Sequence, residues 1–258
     1  MKNITSRDNP LFKQLKRLSD SSRERHKAGQ LLLDGAHLIQ AYMENFGEPE
    51  LIVVSGASQA TDALHLLQDL ADAKQVMFPG NLFAEISPVA SPTGILAVAR
   101  IPQLAAPREP EFAILLEDIQ DPGNLGSILR TAAAAGVEVA YLSTGCADVW
   151  GPKTLRGGQG AQFILPVVEK ADLIALSTAF RGTLLAASLK GESLYSMKLT
   201  GPIAFVFGNE GAGLTDEMLS ASTHRVRIPM AGNVESLNAA AAAAVCLFEH
   251  VRQNTAGN

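Results

Sequence analysis

Apolar residues in this chain gather in short runs whose flanking segments change character near residue 105. Before that point, segments 30–35, 50–55, 74–78 and 94–100 are compact apolar runs of strand length. Between them, a segment opened by Asn9-Pro10 and the segments 36–45 and 63–70 carry apolar positions at helical spacing. Alternation of this kind predicts a small α/β unit. Beyond it come buried runs at 112–117, 137–143, 163–168, 183–188, 203–208 and 224–229, separated by helical or glycine-rich stretches. Runs without polar alternation predict a mostly parallel sheet covered on both faces, and ligands of such sheets bind beyond the carboxyl ends of the strands.

The segment 101–111 holds Pro102, Pro107 and Pro110 between apolar runs, the composition of an extended connector. It divides the 258 residues into 1–104 and 105–258. No apolar run approaches the roughly 20 residues of a membrane helix, and the polar start has no secretory core, so a cytoplasmic protein is expected. Cys146 and Cys246 are too far apart in sequence to suggest a disulfide framework, and the five histidines show no ligand spacing, so no metal is expected.

A net charge of −5 argues against a nucleic-acid partner, but residues 1–30 hold eight Lys and Arg against three acids, a local +5. A patch serves where a total does not, which makes Arg17, Arg23 and Arg25 candidate RNA contacts; a solvated helix face explains the same charges.

Three segments at strand ends carry the candidate chemistry. In 117–132, Asp121-Pro122-Gly123 turns the chain off its strand, Asn124 is placed to cap the following helix, and Arg130 stands one turn beyond Gly126. In 205–215, a strand ends in Gly208-Asn209-Glu210-Gly211-Ala212-Gly213. This fits neither the P-loop nor the dinucleotide fingerprint, and Glu210 is suited to hydroxyls or a cation rather than a phosphate. In 228–238, Ile228-Pro229-Met230 precedes Ser236-Leu237-Asn238 and a run of six alanines, which by itself signals only helix propensity.

In this order the three segments resemble the signature motifs of the SpoU or TrmH branch of the SPOUT methyltransferases, over about Phe112 to Arg252. The N-terminal half more loosely resembles that family's ribosomal-protein-like substrate-binding domain. The resemblance implies an α/β fold whose C-terminal parallel sheet is threaded into a trefoil knot, which sequence rules alone would exclude. It implies transfer of a methyl group from S-adenosyl-L-methionine to a ribose 2′-hydroxyl by a homodimer. Carried over by motif, Asn124, Arg130, Glu210 and Asn238 line the reacting side, and Gly208, Asn209, Gly211, Ile228, Met230, Ser236 and Leu237 hold the cofactor. Two stretches depart from the pattern: 157–161 lacks a serine before Gly160-Ala161, and alanines follow Asn238 where relatives often show Val-Ser-Val. The expected substrate is ribosomal RNA, with tRNA as the alternative; a noncatalytic RNA-binding relative and an enzyme acting on a small nucleotide are the rival classes.

Overall fold

The computed structural model describes residues 1–57, 66–67, 70, 73–87, 89, 92–232 and 235–255. Most of the helix read over 63–70 lies outside the described residues. The chain forms two compact units, Met1–Gln103 together with Trp150–Phe163, and Leu104–Val149 together with Ile164–Asn258.

The first unit runs β1 (Lys2–Asn3), α1 (Pro10–Asp20), α2 (Ser22–Ala28), β2 (Gln30–Asp34), α3 (Ala36–Phe46), β3 (Leu51–Ser55), β4 (Gln75–Phe78), α4 (Gly80–Ile86) and β5 (Ile95–Arg100). Its sheet has the order β1-β4-β3-β5-β2, with β5 antiparallel to both neighbours and the remaining pairs parallel. Asn9 starts α1 by accepting from the Leu11 N–H at 2.9 Å, and Phe12, Leu15 and Leu18 turn inward to pack with Leu32, Val53 and Phe78.

Ser21 is extended, ends α1, and caps α2 through its hydroxyl. The last carbonyls of α1 then need donors, and Arg25 supplies them, donating Nη1 to the oxygens of Leu18 at 2.6 Å and Ser19 at 3.1 Å. This corrects the reading of Arg25 as an RNA contact, because its side chain is buried, with 5% of the residue exposed. Much of the remaining basic charge is paired: Arg7 with Glu85, Lys13 with Asp8, Lys16 with Asp20 and Arg17 with Glu24. Arg23 and Lys27 are exposed and form no ion pair among the described residues.

The second unit runs β6 (Phe112–Leu116), α5 (Pro122–Ala134), β7 (Val139–Leu142) and then, beyond the excursion that carries α6 (Pro152–Gly158), β8 (Val167–Val168), α7 (Leu173–Ala179), β9 (Thr183–Ser193), β10 (Ile203–Phe207), α8 (Asp216–Ala221), β11 (His224–Arg227) and α9 (Ala239–Thr255). All strands are parallel, in the order β11-β9-β10-β6-β7-β8. β6 and β10 are buried along their whole length, which is why their sequences read as unbroken apolar runs. Their register sets Leu116 opposite Phe207, so the first two motif segments leave the sheet side by side.

The excursion 150–163 belongs with the first unit although β7 and β8 flank it in sequence. There α6 packs on β2, and Phe163 stands edge-on to Tyr42, with ring centroids 5.5 Å apart, and to Phe46 at 6.3 Å. A division of the chain into two contiguous segments does not describe this packing. Among the described residues no helix is long and apolar enough to cross a membrane.

Candidate active site

At the carboxyl edge of the parallel sheet, the Glu117 N–H still donates to the Phe207 carbonyl at 2.9 Å before the two chains part. Asp121, rather than Asn124, caps α5: its carboxylate accepts the Asn124 N–H at 2.7 Å, and Pro122 fills the first helical position. The capping role expected of Asn124 is thus taken three residues earlier, and its side chain is left to point across the sheet edge.

That side chain donates Nδ2 to Glu210 Oε1 at 3.0 Å, while its Oδ1 accepts from Asn238 Nδ2 at 2.8 Å. Asn238 in turn caps α9, its Oδ1 accepting from the Ala240 and Ala241 N–H groups at 2.9 and 3.3 Å. The two ends of this chain fix its direction. Backbone N–H groups only donate and an ionised carboxylate only accepts, so both amides between them have one workable orientation. Residues from all three motif segments are therefore tied into one constellation.

Glu210 also accepts from the backbone N–H groups of Asp121 and Gln120, both at 3.3 Å. Burial pushes its carboxyl up, but the hydrogen bonds from the Asn124 amide and from backbone N–H groups outweigh it, and the group sits below the ordinary carboxylate range. It is an anion at neutral pH, already engaged on both oxygens.

The glycine-rich turn closes on itself. A Cβ on Gly208 would lie 2.5 Å from the Gly213 carbonyl, so only glycine permits this approach. Asn209 and Gly213 exchange backbone hydrogen bonds of 3.1 and 2.9 Å. The Asn209 side chain accepts from the Gly211 and Ala212 N–H groups and donates to the Asp118 carbonyl, each at 2.9 Å. Asn209 thus shapes the loop with both its side chain and its backbone.

Other structural residues here escaped the sequence reading. Glu117 accepts from both the N–H and the hydroxyl of Thr215 at 2.8 Å, binding the exit of the glycine turn to the end of β6. Asp118, at φ 53°, presents the carbonyl that Asn209 uses. Their signal was acidic residues at a strand end, a pattern that does not by itself distinguish a brace from a solvated loop.

The remaining expected residues stand apart from this network. Arg130 is exposed on α5, and its side chain makes no hydrogen bond or ion pair among the described residues. Ile228 is half-buried, while Met230, Ser236 and Leu237 are exposed in the irregular segments between β11 and α9. Gly211 is exposed in its turn. Ile228, Met230 and Leu237 thus bring apolar side chains to the segments that follow β11.

Residues 111–248 match the SpoU rRNA Methylase family, and residues 9–97 match the MRM3-like substrate binding domain. An uncharacterized tRNA/rRNA methyltransferase of Synechocystis sp. is 35% identical, over 99% of this chain and 95% of its own length. The 23S rRNA (guanosine(2553)-2'-O)-methyltransferase RlmP of Bacillus subtilis is 33% identical, over 98% of this chain and 100% of its own length. The SpoU methyltransferase AviRb of Streptomyces viridochromogenes, solved in complex with AdoMet, is similar at a TM-score of 0.82 and 29% identity, over 96% of this chain and 100% of that one. With more than half of its length matching the family, through the segments that converge on Glu210, this chain belongs to the SpoU rRNA methylase family.

Proposed function

We propose that this protein transfers a methyl group from S-adenosyl-L-methionine to a ribose 2′-hydroxyl of ribosomal RNA. The observation that carries the reading is the Asn238–Asn124–Glu210 chain, which joins three distant sequence segments at the edge where a parallel sheet receives its ligand. The names of full-length relatives that methylate 23S rRNA support the substrate.

The cofactor supplies an electrophilic methyl group on a sulfonium. Backbone groups around Gly208, Asn209 and Gly211, with Ile228, Met230, Ser236 and Leu237, would hold it. Arg130 acts on the nucleophile. It lies on the exposed side of the same helix, roughly 9 Å along the axis from Asn124 at about 1.5 Å per residue. A guanidinium does not lose its proton at neutral pH, so Arg130 serves by holding the ribose oxygen and a neighbouring phosphate through its planar fork. Glu210, depressed and engaged on both oxygens, is a poor proton acceptor; it fixes Asn124 and the end of α5 instead.

The reading includes the family's trefoil knot, action in the cytoplasm, where ribosomal RNA is assembled, and a homodimer. Phe248, 46% exposed on α9, is a large apolar side chain that a second copy would cover. The deciding experiment maps ribose methylation in total RNA from cells with and without the gene. Loss of one 2′-O-methyl mark in ribosomal RNA is expected; a mark lost from tRNA alone would overturn the substrate.

A further inference from the structure

In the first unit Arg7, Lys13, Lys16, Arg17 and Arg100 are ion-paired and Arg25 is buried, whereas the catalytic unit carries a cluster of cations on one strand edge with no such partners. On the edge strand β11, Arg225 and Arg227 flank the buried Val226, so they project together from the face that Val226 leaves. Both are exposed. Lys190 joins them from β9 through an irregularity in the pairing. Arg225 is opposite Ala186, yet Val226 is opposite Glu192, so residues 187–191 leave the ladder between them. The excursion returns against the backbone of β11: a Cβ on Gly191 would lie 2.2 Å from the Arg225 carbonyl oxygen, an approach that only glycine allows. Arg227 Nε donates to the Gly191 carbonyl at 3.2 Å, which holds its guanidinium beside the excursion and leaves its terminal nitrogens to other partners.

Neither arginine nor Lys190 forms an ion pair among the described residues. Glu192, the acid within these two segments, faces His224 at 3.5 Å. Tyr195, 55% exposed, follows two residues beyond Ser193, which pairs with Arg227.

From this arrangement we infer that the β11 edge, through Lys190, Arg225 and Arg227, binds phosphates of the substrate RNA that flank the methylated nucleotide. This rests on the RNA methyltransferase reading and extends it to a surface. The strands are parallel, so Arg227 lies at the same end of the sheet as the Glu210 turn. β11 is two strands from β10 and three from β6, about 10 to 15 Å at the usual spacing, a separation that neighbouring nucleotides span. Unpaired cations on a rigid strand suit a polyanion, and an exposed tyrosine beside them offers a ring on which an unpaired base can stack. Charged edge strands also serve simply to prevent sheet-to-sheet aggregation, and the test separates these roles.

The experiment measures binding of unmodified in vitro transcribed 23S rRNA to the full-length protein over a range of salt, for wild type, for the triple variant Lys190→Gln/Arg225→Gln/Arg227→Gln, and for Lys190→Glu alone, whose exposed position spares the fold. Cofactor affinity and methylation of the transcript are measured alongside. The expected result is an RNA affinity lowered roughly tenfold or more in the triple variant, with a salt slope shallower by about 0.7 to 0.9 for each phosphate no longer neutralised, and unchanged cofactor affinity. Lys190→Glu should weaken RNA binding in the same direction. An unchanged salt slope in both variants overturns the surface, and aggregation of the triple variant with an unchanged slope in Lys190→Glu assigns these cations to edge protection. Absence of methylation by the wild type counts against the reaction assigned to the protein, while the binding comparison still decides the surface.

Discussion

Asn238 donates its amide to Asn124 Oδ1 at 2.8 Å, linking the cap of the C-terminal helix to the first turn of α5 across 114 residues of sequence. Asn124 passes the polarity on to Glu210 at 3.0 Å. Replacing Asn124 by Asp would set two carboxylates against each other at that distance, and such pairs do not both stay ionised. We expect Asn124→Asp to slow methyl transfer by about tenfold or more at neutral pH, with partial recovery as the pH is lowered and one proton is shared by the pair. Single-turnover rates across pH check this. A variant with the wild-type rate and pH profile would show that the constellation is dispensable.

Arg130 is the exposed cation of α5 and its side chain carries no structural hydrogen bond among the described residues, so its loss should leave the fold and the cofactor site intact. Arg130→Ala is expected to reduce transfer by on the order of 10² or more, the usual cost of losing a positioned electrostatic donor. Arg130→Lys should restore little, because an ammonium lacks the planar fork. Single-turnover methylation and cofactor affinity are measured together; a fall in affinity equal to the fall in rate would move Arg130 to the cofactor side.

These two sites differ in how far the sequence revealed them. Asn124, Glu210 and Asn238 were singled out by the resemblance of their segments to the family motifs; local composition alone marked Asn124 only as a helix cap. Their partnership was less legible: the cap of α5 moved to Asp121, and Asn209 proved to spend its side chain on its own loop. Arg25 was misread for a physical reason. Counting charge says nothing of burial, and the break at Ser21, which creates the carbonyls Arg25 satisfies, is marked only by a serine in an otherwise helical stretch. The attachment of 150–163 to the first unit was invisible, because periodicity reports which faces are buried and not against what.

Glu249 supplies a stability test on α9. Hydrogen bonds from Arg252 and Gln253 bring its carboxyl down to about 2 from the usual 4.5. With the folded value below the unfolded one, its stabilisation is complete above about pH 4.5 and is lost as the pH falls through about 2. Glu249→Gln should lower stability at neutral pH by ~1 kcal/mol, a modest value because Arg252 is open to water. Urea titrations should find the wild-type and variant stabilities converging near the acid end of that window. A difference that persists there would mean the loss comes from packing rather than charge.

The excursion 150–163 makes the sharpest test of how the chain is divided. Phe163 is 1% exposed and packs edge-on to Tyr42 and Phe46, both on α3 of the first unit. Removing a buried phenylalanine side chain costs about 3 to 5 kcal/mol, so Phe163→Ala should destabilise the full-length protein by that amount. A fragment 104–258 lacks α3, β2 and everything else that Phe163 touches in the first unit, but it keeps the core of Leu115, Val139, Leu184 and Val206 beneath the parallel sheet. In that fragment the same substitution should cost less than about 0.5 kcal/mol, the scale of an ordinary surface change. The fragment itself should expose Trp150, Leu155 and Phe163 and bind a hydrophobic dye that the full-length protein does not. Urea denaturation of the four proteins, with and without the substitution in each length, measures the difference directly. Equal losses in both lengths would place Phe163 in the core of the catalytic unit and return 150–163 to it.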